Sequence, residues 1–174
     1  MGRDAGSFDE FYRATSARVL RYAYAVTGDL ADAQDAVQEA YTRAWRDWRK
    51  VARHPAPEAW VRLVVSRLAV DRHRREAGWR RAVARTGPQP PVAPPGEETV
   101  LLTTALRRLP GTQRQALALH YLCGLSVAEI AEETGAAEGT VKSWLSRGRA
   151  ALAELLAERP ERPGPRVLEV NDVD

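Results

Sequence analysis

The amino-acid sequence predicts an all-α fold of two small helical domains joined by a proline-rich linker. Three observations lead to this class. Apolar residues recur at helical spacing in both halves of the chain, no segment shows the alternation typical of a β-strand, and the composition changes abruptly near the middle. A chain of 174 residues is long enough to build an apolar core for two such domains.

The N-terminal part begins with two amphipathic helices. Apolar residues from Phe8 to Val26 keep helical spacing, and Thr27-Gly28-Asp29 then supplies a stop followed by a new N-cap. This pattern predicts a first helix over about 8–27. A second helix follows and runs to about Arg49, with acidic residues near its start, where the helix dipole favours negative charge.

A third helix begins at Pro57 after a short loop, and beyond its apolar stripe the chain turns strongly basic. Residues 43–85 include thirteen basic side chains against four acidic ones, with tryptophans interleaved. Such a composition can neutralise phosphates and stack on unpaired bases. Trp45, Trp48 and Trp60 nevertheless lie on apolar stripes, and we interpret them as core residues.

The linker is predicted at 86–97, where closely spaced prolines favour an extended backbone. It separates an N-terminal domain, 1–85, from a C-terminal domain, 98–158. The remaining residues, 159–174, are proline-rich and then acidic without periodicity, so we expect a disordered tail.

The C-terminal domain is predicted to be a helix-turn-helix. Two short helices, the second ending at Gly124, precede the capping box Ser126-Val127-Ala128-Glu129. The helix that starts there ends at Gly135, and a longer helix begins at about Glu138. Two closely spaced helices joined by a tight glycine turn are typical of this motif.

The last helix carries an apolar stripe and, on the opposite arc, small, polar and cationic side chains. In a helix-turn-helix, the N-terminal part of the second helix meets base edges and its amide end favours phosphate. We interpret this arc as a DNA-binding surface rather than an ordinary solvated face. The candidate residues are Gly139, Thr140, Lys142, Ser143, Arg147 and Arg149.

Composition and spacing argue against several other classes of protein. The single cysteine, Cys123, allows no internal disulfide, and His54, His73 and His120 are too far apart in sequence to suggest a metal site. No glycine-rich phosphate loop follows a strand. We therefore expect no enzyme activity, no metal and no cofactor. No run of about 18 apolar residues occurs, so we expect a cytoplasmic protein without membrane insertion.

The ordered set of motifs resembles one known family, the extracytoplasmic-function RNA polymerase sigma factors. Residues 27–45, starting at Thr27-Gly28-Asp29, resemble the helix with which these proteins bind core polymerase. Residues 60–75 resemble their −10-reading helix. The segments 109–114 and 139–143 resemble the start and the recognition helix of their −35-reading domain. The match runs in order over about 8–156.

The resemblance implies a sigma factor that binds core RNA polymerase and directs promoter-specific transcription initiation. It implies that Asp35, Gln38 and Glu39 dock on the clamp helices of the polymerase's largest subunit. It further implies that the basic third helix holds the melted −10 strand, with one base flipped into a pocket. The residues implied there are Arg62, Arg67, Asp71, Arg74 and Arg75. Many relatives are also held by an anti-sigma factor.

Two other readings share part of this evidence. A stand-alone helix-turn-helix regulator explains the C-terminal domain, but leaves the acidic second helix and the basic third helix unexplained. An enzyme with a DNA-binding tail, such as a recombinase, requires a nucleophile in a catalytic setting, and none is recognisable in the N-terminal half. The acidic face of the second helix is equally compatible with a protein partner and with a solvated surface.

Overall fold

The computed structural model describes residues 2–80 and 97–157, and over these ranges the chain is helical without any strand. The all-α prediction is confirmed. The eight helices of the described ranges are α1 (Gly2–Thr27), α2 (Leu30–Arg46), α3 (Trp48–Val51), α4 (Pro57–Arg80), α5 (Glu97–Arg107), α6 (Gly111–Cys123), α7 (Val127–Thr134) and α8 (Glu138–Ala157). We call α1–α4 the N-terminal region and α5–α8 the C-terminal region. The predicted tail, 159–174, and the predicted linker, 86–97 apart from Glu97, lie outside the described residues.

Helix α1 begins six residues earlier than its apolar pattern predicts. Contacts with α3 explain the extension: the Trp48 indole donates a hydrogen bond to the Ser7 hydroxyl at 2.8 Å, and Arg49 forms an ion pair with Asp4 at 3.2 Å. These partners lie more than forty residues away in sequence. Apolar periodicity alone carries no information about such contacts.

The predicted continuous second helix is interrupted at Asp47. This residue leaves helical geometry, with φ −106° and ψ 22°, and a separate turn, α3, follows it. The break turns the Trp48 side chain into the core, where it packs against Phe8 and Phe11 at ring-centroid distances of 5.2 and 5.1 Å. Burial of a large aromatic surface therefore compensates for the lost helical continuity.

Helix α1 is the centre of the fold. It packs against α2 and α4 of the N-terminal region and against α5 and α6 of the C-terminal region, so that one hydrophobic core spans both. Tyr22 is fully buried in this core, and its hydroxyl hydrogen bonds to Ser66 of α4 at 2.6 Å. Burial raises the pKa of the Tyr22 phenol, so the group stays neutral.

The predicted helix-turn-helix is formed by α7 and α8. Ser126 accepts a hydrogen bond from the Glu129 amide, while the Glu129 carboxylate accepts one from the Ser126 amide, which completes the predicted capping box. Gly135 then ends α7 in the left-handed region, at φ 71°, a conformation that glycine adopts without steric cost. None of the described helices is both long and apolar enough to cross a lipid bilayer.

Candidate nucleic-acid interface

Helix α8 is seated on the core by the residues that its apolar pattern predicts. Val141 and Leu145 are buried, and Leu152 packs on the edge of the same cluster. The six candidate DNA-binding residues fall on the remaining surface. Five of them are exposed and one, Ser143, is half-buried; the exposed ones are Gly139, Thr140, Lys142, Arg147 and Arg149.

Gly148 allows α8 to lie close to α6. A Cβ atom at this position would stand 3.0 Å from Cδ1 of Leu117 and 3.4 Å from Cβ of Gln113, both on α6. Leu117 is itself buried and has little room to move. Glycine inside a helix costs about 0.5–1 kcal/mol relative to alanine, and here the close packing of the two helices explains its presence.

The candidate residues of α4 are divided between two environments. Arg67 and Asp71 are exposed, as expected of a nucleic-acid contact. Arg74 and Arg75 lie on the helix, but their side chains are outside the described part of the chain. Arg62 differs from Arg67 and Asp71 because only 5% of its surface is exposed.

Arg62 is held by two carboxylates. Its Nε and Nη2 donate to the two oxygens of Glu133 on α7 at 3.0 and 2.6 Å, and its Nη1 donates to Glu58 at 2.9 Å. Glu58 in turn accepts two hydrogen bonds from Arg18 on α1, at 2.7 and 2.5 Å. The four side chains form one continuous ionic network across α1, α4 and α7.

The network keeps Arg62 charged despite its burial. Burial by itself lowers the pKa of a guanidinium, but the hydrogen bonds and negative charge of Glu133, together with Glu58, outweigh it and raise the pKa of Arg62 above its usual value. The side chain of Glu133 is as buried as that of its partner, with 8% exposed. In this arrangement Arg62 contacts the C-terminal region rather than solvent, so DNA cannot reach it.

Helix α2 presents its predicted polymerase-binding residues on one partly exposed face. Gln38 is exposed, Glu39 forms an ion pair with Arg43 at 2.7 Å, and Asp35 accepts a hydrogen bond from Arg72 of α4 at 3.3 Å. Arg72 also pairs with Asp32 at 2.5 Å. The acidic face of α2 therefore serves partly to hold α4 in place.

The prediction that Trp45 is a core residue is wrong. The sequence places it on an apolar stripe, yet 47% of its surface is exposed, whereas Trp48 is buried as expected and Trp60 is half-buried. Its ring lies against Phe8 with centroids 5.0 Å apart. The residue lies seven positions after Gln38, so both project from a similar face of α2.

Sequence reasoning did not single out Glu133, and it gave no packing role to Gly148. Glu133 is one of several acidic residues in α7, and its partner lies 71 positions away, so no local pattern could have revealed the pair. For Gly148 a local signal exists. An unexplained glycine in the middle of an amphipathic helix often marks a close approach of another element.

Comparison with known families assigns each region to a class. Sigma-70 region 2 matches residues 11–80, and Sigma-70, region 4 matches residues 99–152. The first match covers α4 and most of the N-terminal region, and the second contains the helix-turn-helix. Fold and surface together therefore define an RNA polymerase sigma factor with these two regions.

Individual relatives narrow the class. The ECF RNA polymerase sigma factor SigL of Mycobacterium tuberculosis is 34% identical over 163 residues, which cover 89% of this chain and 92% of SigL. SigM of the same organism is 34% identical over 159 residues, with 88% of this chain and 79% of SigM covered. The chain belongs to the extracytoplasmic-function RNA polymerase sigma factors. It binds core RNA polymerase and directs transcription initiation at promoters. The sigma-factor interpretation is therefore favoured over that of a stand-alone regulator.

A solved structure shares the fold. The sigma factor RpoE of Bartonella quintana, in complex with the anti-sigma factor NepR, matches with a TM-score of 0.68 at 23% identity. The match covers 87% of this chain and 99% of RpoE. At this level of identity the similarity concerns the helical architecture.

Proposed function

We propose that the exposed face of α8 reads the duplex −35 element of the promoter. This assignment rests on the environment of three basic side chains on that face. Lys142, Arg147 and Arg149 are exposed, and none forms an ion pair with another side chain in the described ranges. Their charge is therefore available to phosphates, while the small residues Gly139, Thr140 and Ser143 leave room for base edges near the start of the helix.

The C-terminal half of α4 is assigned to the melted −10 strand. Arg67 and Asp71 offer a donor and an acceptor on its exposed side, and Arg74 and Arg75 add positive charge to the same helix. A single strand exposes Watson–Crick edges that such side chains can hydrogen bond. Arg62 is the exception among these residues, because both oxygens of Glu133 on α7 accept hydrogen bonds from its guanidinium.

The contact with core polymerase is assigned to the exposed face of α2. Asp35, Gln38 and Glu39 supply polar groups, and the exposed ring of Trp45 extends the same face with apolar area. Aromatic residues surrounded by polar groups are typical of the energetically important part of protein interfaces.

An anti-sigma factor is the further partner that we assign to this chain, by analogy with RpoE of Bartonella quintana, whose structure was solved with NepR. The proposed function has no catalytic step of its own, because the sigma factor only binds and positions polymerase and DNA. Core RNA polymerase and promoter DNA are both found in the bacterial cytoplasm, so we assign this chain to the cytoplasm.

The first experiment tests polymerase binding and promoter selection together. The purified chain is mixed with bacterial core RNA polymerase, co-elution is measured by gel filtration, and run-off transcription is performed on a genomic fragment library. We expect co-elution and a small set of transcripts whose start sites share upstream −10 and −35 sequences. Binding to duplex DNA without binding to core polymerase would instead support the stand-alone regulator.

A second measurement tests the division of labour between α2 and α8. Gln38→Arg, on the exposed face of α2, should weaken co-elution with core polymerase while leaving binding of a −35 duplex by the free chain unchanged. Ala14→Arg is the control, because Ala14 is an exposed residue of α1 and so lies outside the proposed contact on α2. Equal effects of both substitutions would contradict the assignment of this face.

A further inference from the structure

A cleft lies where the start of α6 faces α1 and α4. Its volume is about 720 Å³, and its lining includes Val26 of α1, Ser66 and Arg72 of α4, and Arg107 and Arg114 of the C-terminal region. Pockets for small ligands have volumes of about 300–1,000 Å³. The cleft is therefore large enough for a small organic molecule, and none of the residues assigned above to DNA or polymerase lines it.

The charge of the cleft is positive. Three arginines and a single aspartate line it, which leaves two positive charges in excess. The aspartate, Asp32, forms an ion pair with Arg72. Within the described ranges, Arg107 and Arg114 have no carboxylate at ion-pair distance. The segment 81–96 contains no acidic residue, so it cannot supply one.

Arg114 has the more unusual environment of the two unpaired cations. Its Nε atom is shielded from solvent and has no hydrogen-bond partner among the described residues, while its Nη1 donates to the Arg107 carbonyl at 3.4 Å. Burial, together with the positive charge of Arg107, lowers the pKa of Arg114 below its usual value. Buried polar atoms are normally paired, so an unpaired donor beside a second cation indicates a place for an anion.

Arg107 is held at the edge of the cleft by the turn between α1 and α2. Its Cγ and Cδ atoms lie over Gly28, where a Cβ atom would overlap both, and its Nη1 reaches the Gly28 carbonyl at 3.5 Å. Gly28 also has a φ of 76°, a conformation that favours glycine. The turn therefore places a second cation beside Arg114.

The start of α6 adds backbone donors to the same wall. Gly111 and Thr112 line the cleft, and the N-cap residue, Pro110, makes no side-chain hydrogen bond to the first amides of the helix. Beyond its own helix, nothing described lies within 4 Å of a Cβ position at Gly111, so the backbone is open on that side. The amino end of a helix carries partial positive charge and attracts phosphate groups. It strengthens a site that the two arginines already define.

We propose that this cleft binds a small organic molecule that carries two linked phosphate groups, such as a nucleoside diphosphate. The excess of two positive charges matches the phosphates, and arginine donors pair well with phosphate oxygens. Val26, Ala69, Val70 and Leu109 supply an apolar wall that fits the organic part. The proposal goes beyond the promoter and polymerase contacts assigned above and does not depend on them.

The shape of the cleft favours a small ligand over promoter DNA. Residues of α1 and α4 face the start of α6 across it, and the Nε atom of Arg114 is enclosed. A phosphate within a duplex carries the sugar–phosphate backbone on both sides, whereas a terminal diphosphate has a free end that can enter between helices.

Isothermal titration calorimetry on the full chain tests the site, with ADP as the probe. Arg114→Gln removes the enclosed charge. Arg21→Gln is the matched control, because it removes the same charge from an exposed position of α1 that does not line the cleft. We expect Arg114→Gln to bind ADP about tenfold more weakly than the unmodified chain, and Arg21→Gln to bind it equally well. Equal affinities of the two variants, or no binding of ADP by the unmodified chain, would overturn the proposal.

Thermal unfolding separates a binding role of Arg114 from a structural one. A half-buried cation without a carboxylate contributes little to stability, so ligand-free Arg114→Gln should have the Tm of the unmodified chain or a higher one. ADP should raise the Tm of the unmodified chain and of Arg21→Gln more than that of Arg114→Gln. A ligand-free Tm of Arg114→Gln far below that of the unmodified chain would overturn the assignment of this arginine to a ligand. Arg107→Gln, at an exposed position, should weaken ADP binding without changing Tm.

Two further probes identify which part of the ligand is recognised. Pyrophosphate keeps the linked phosphates without the organic part, and adenosine keeps the organic part without the charge. We expect pyrophosphate to bind more weakly than ADP, and adenosine to give no detectable heat, because the cations supply most of the attraction. Adenosine that binds as tightly as ADP would overturn the phosphate assignment, and pyrophosphate that binds as tightly as ADP would overturn the role of the apolar wall.

A competition experiment distinguishes the small ligand from DNA. Bound ADP should remain on the chain when a −35 duplex from the run-off experiment is added in excess. Displacement of ADP by the duplex would assign the cleft to promoter DNA and overturn the proposal.

Discussion

The cations of α8 and those of α4 differ in what surrounds them. On α8, Lys142, Arg147 and Arg149 are exposed and, within the described ranges, have no carboxylate partner. On α4, two carboxylates hold Arg62, one from the preceding turn and one from α7, and two carboxylates of α2 hold Arg72. A basic sequence thus provides a DNA-binding surface only where the fold leaves its charges unneutralised.

The position of each helix explains this difference. Helix α8 packs on α5, α6 and α7 with one stripe and has its opposite arc in solvent. Helix α4 lies between α1 and α2 and also meets α7 through Arg62. Carboxylates of α2 and α7 lie within reach of the arginines of α4, so more of its charged side chains serve to hold the structure together.

The largest expected effect is on stability, from Arg62→Ala. The substitution leaves the buried Glu133 carboxylate without its partner, and breaking a buried ion pair costs about 3–5 kcal/mol. Arg67→Ala, on the exposed side of the same helix, should change stability by no more than about 0.5 kcal/mol. Urea unfolding followed by circular dichroism measures both. Similar values for the two variants would remove the distinction between buried and available arginines.

The next effect concerns binding by α8. Lys142→Glu combined with Arg147→Glu should weaken binding of the −35 duplex by about a hundredfold, because two favourable contacts become repulsive, and it should reduce the salt dependence of binding. Binding of core polymerase should remain nearly unchanged. Fluorescence anisotropy and co-elution measure the two. Glu154→Gln, also exposed on α8 but beyond the candidate face, serves as the control.

A smaller effect tests how α8 is seated. Gly148→Leu should destabilise the protein by about 1–3 kcal/mol, because the added side chain meets Leu117 of α6 where even a Cβ has only 3.0 Å. Gly139→Ala, where a Cβ meets nothing within 4 Å, should be neutral or slightly stabilising. Thermal unfolding of both variants provides the comparison. An unaffected Gly148→Leu would show that α8 does not need this close approach.

The smallest expected effect is a pH dependence of α7, the helix that carries Glu133. Hydrogen bonds from the backbone and the side chain of Ser126 lower the pKa of Glu129 below its ordinary value of 4.5. The charged carboxylate therefore stabilises the fold above that pH, and this contribution is lost as pH falls through the lowered pKa. Glu129→Gln should flatten the change of Tm between pH 7 and pH 3 slightly. Glu132→Gln, on the exposed surface of the same helix, should not.

Local patterns predicted a large part of this fold because local chemistry determines them. The capping box at Ser126, the left-handed stop at Gly135 and the apolar stripe through Val141 and Leu145 each depend on residues within a few positions of one another. The exposed arc of α8 follows from the same periodicity. Prediction was least accurate where contacts between residues far apart in sequence determine the structure. Examples are the start of α1, the break at Asp47 and the exposure of Trp45.

The sequence by itself determined that the protein is helical, that its last two described helices form a helix-turn-helix, and that positive charge collects on α8 and α4. Only the tertiary structure decided which of those charges are free. Arg62 and Arg67 are five positions apart in the same basic segment, yet one is neutralised by α7 and the other faces solvent. The physical reason is that an ion pair depends on distances in space, and Glu133 comes within reach of Arg62 only when the two regions pack together.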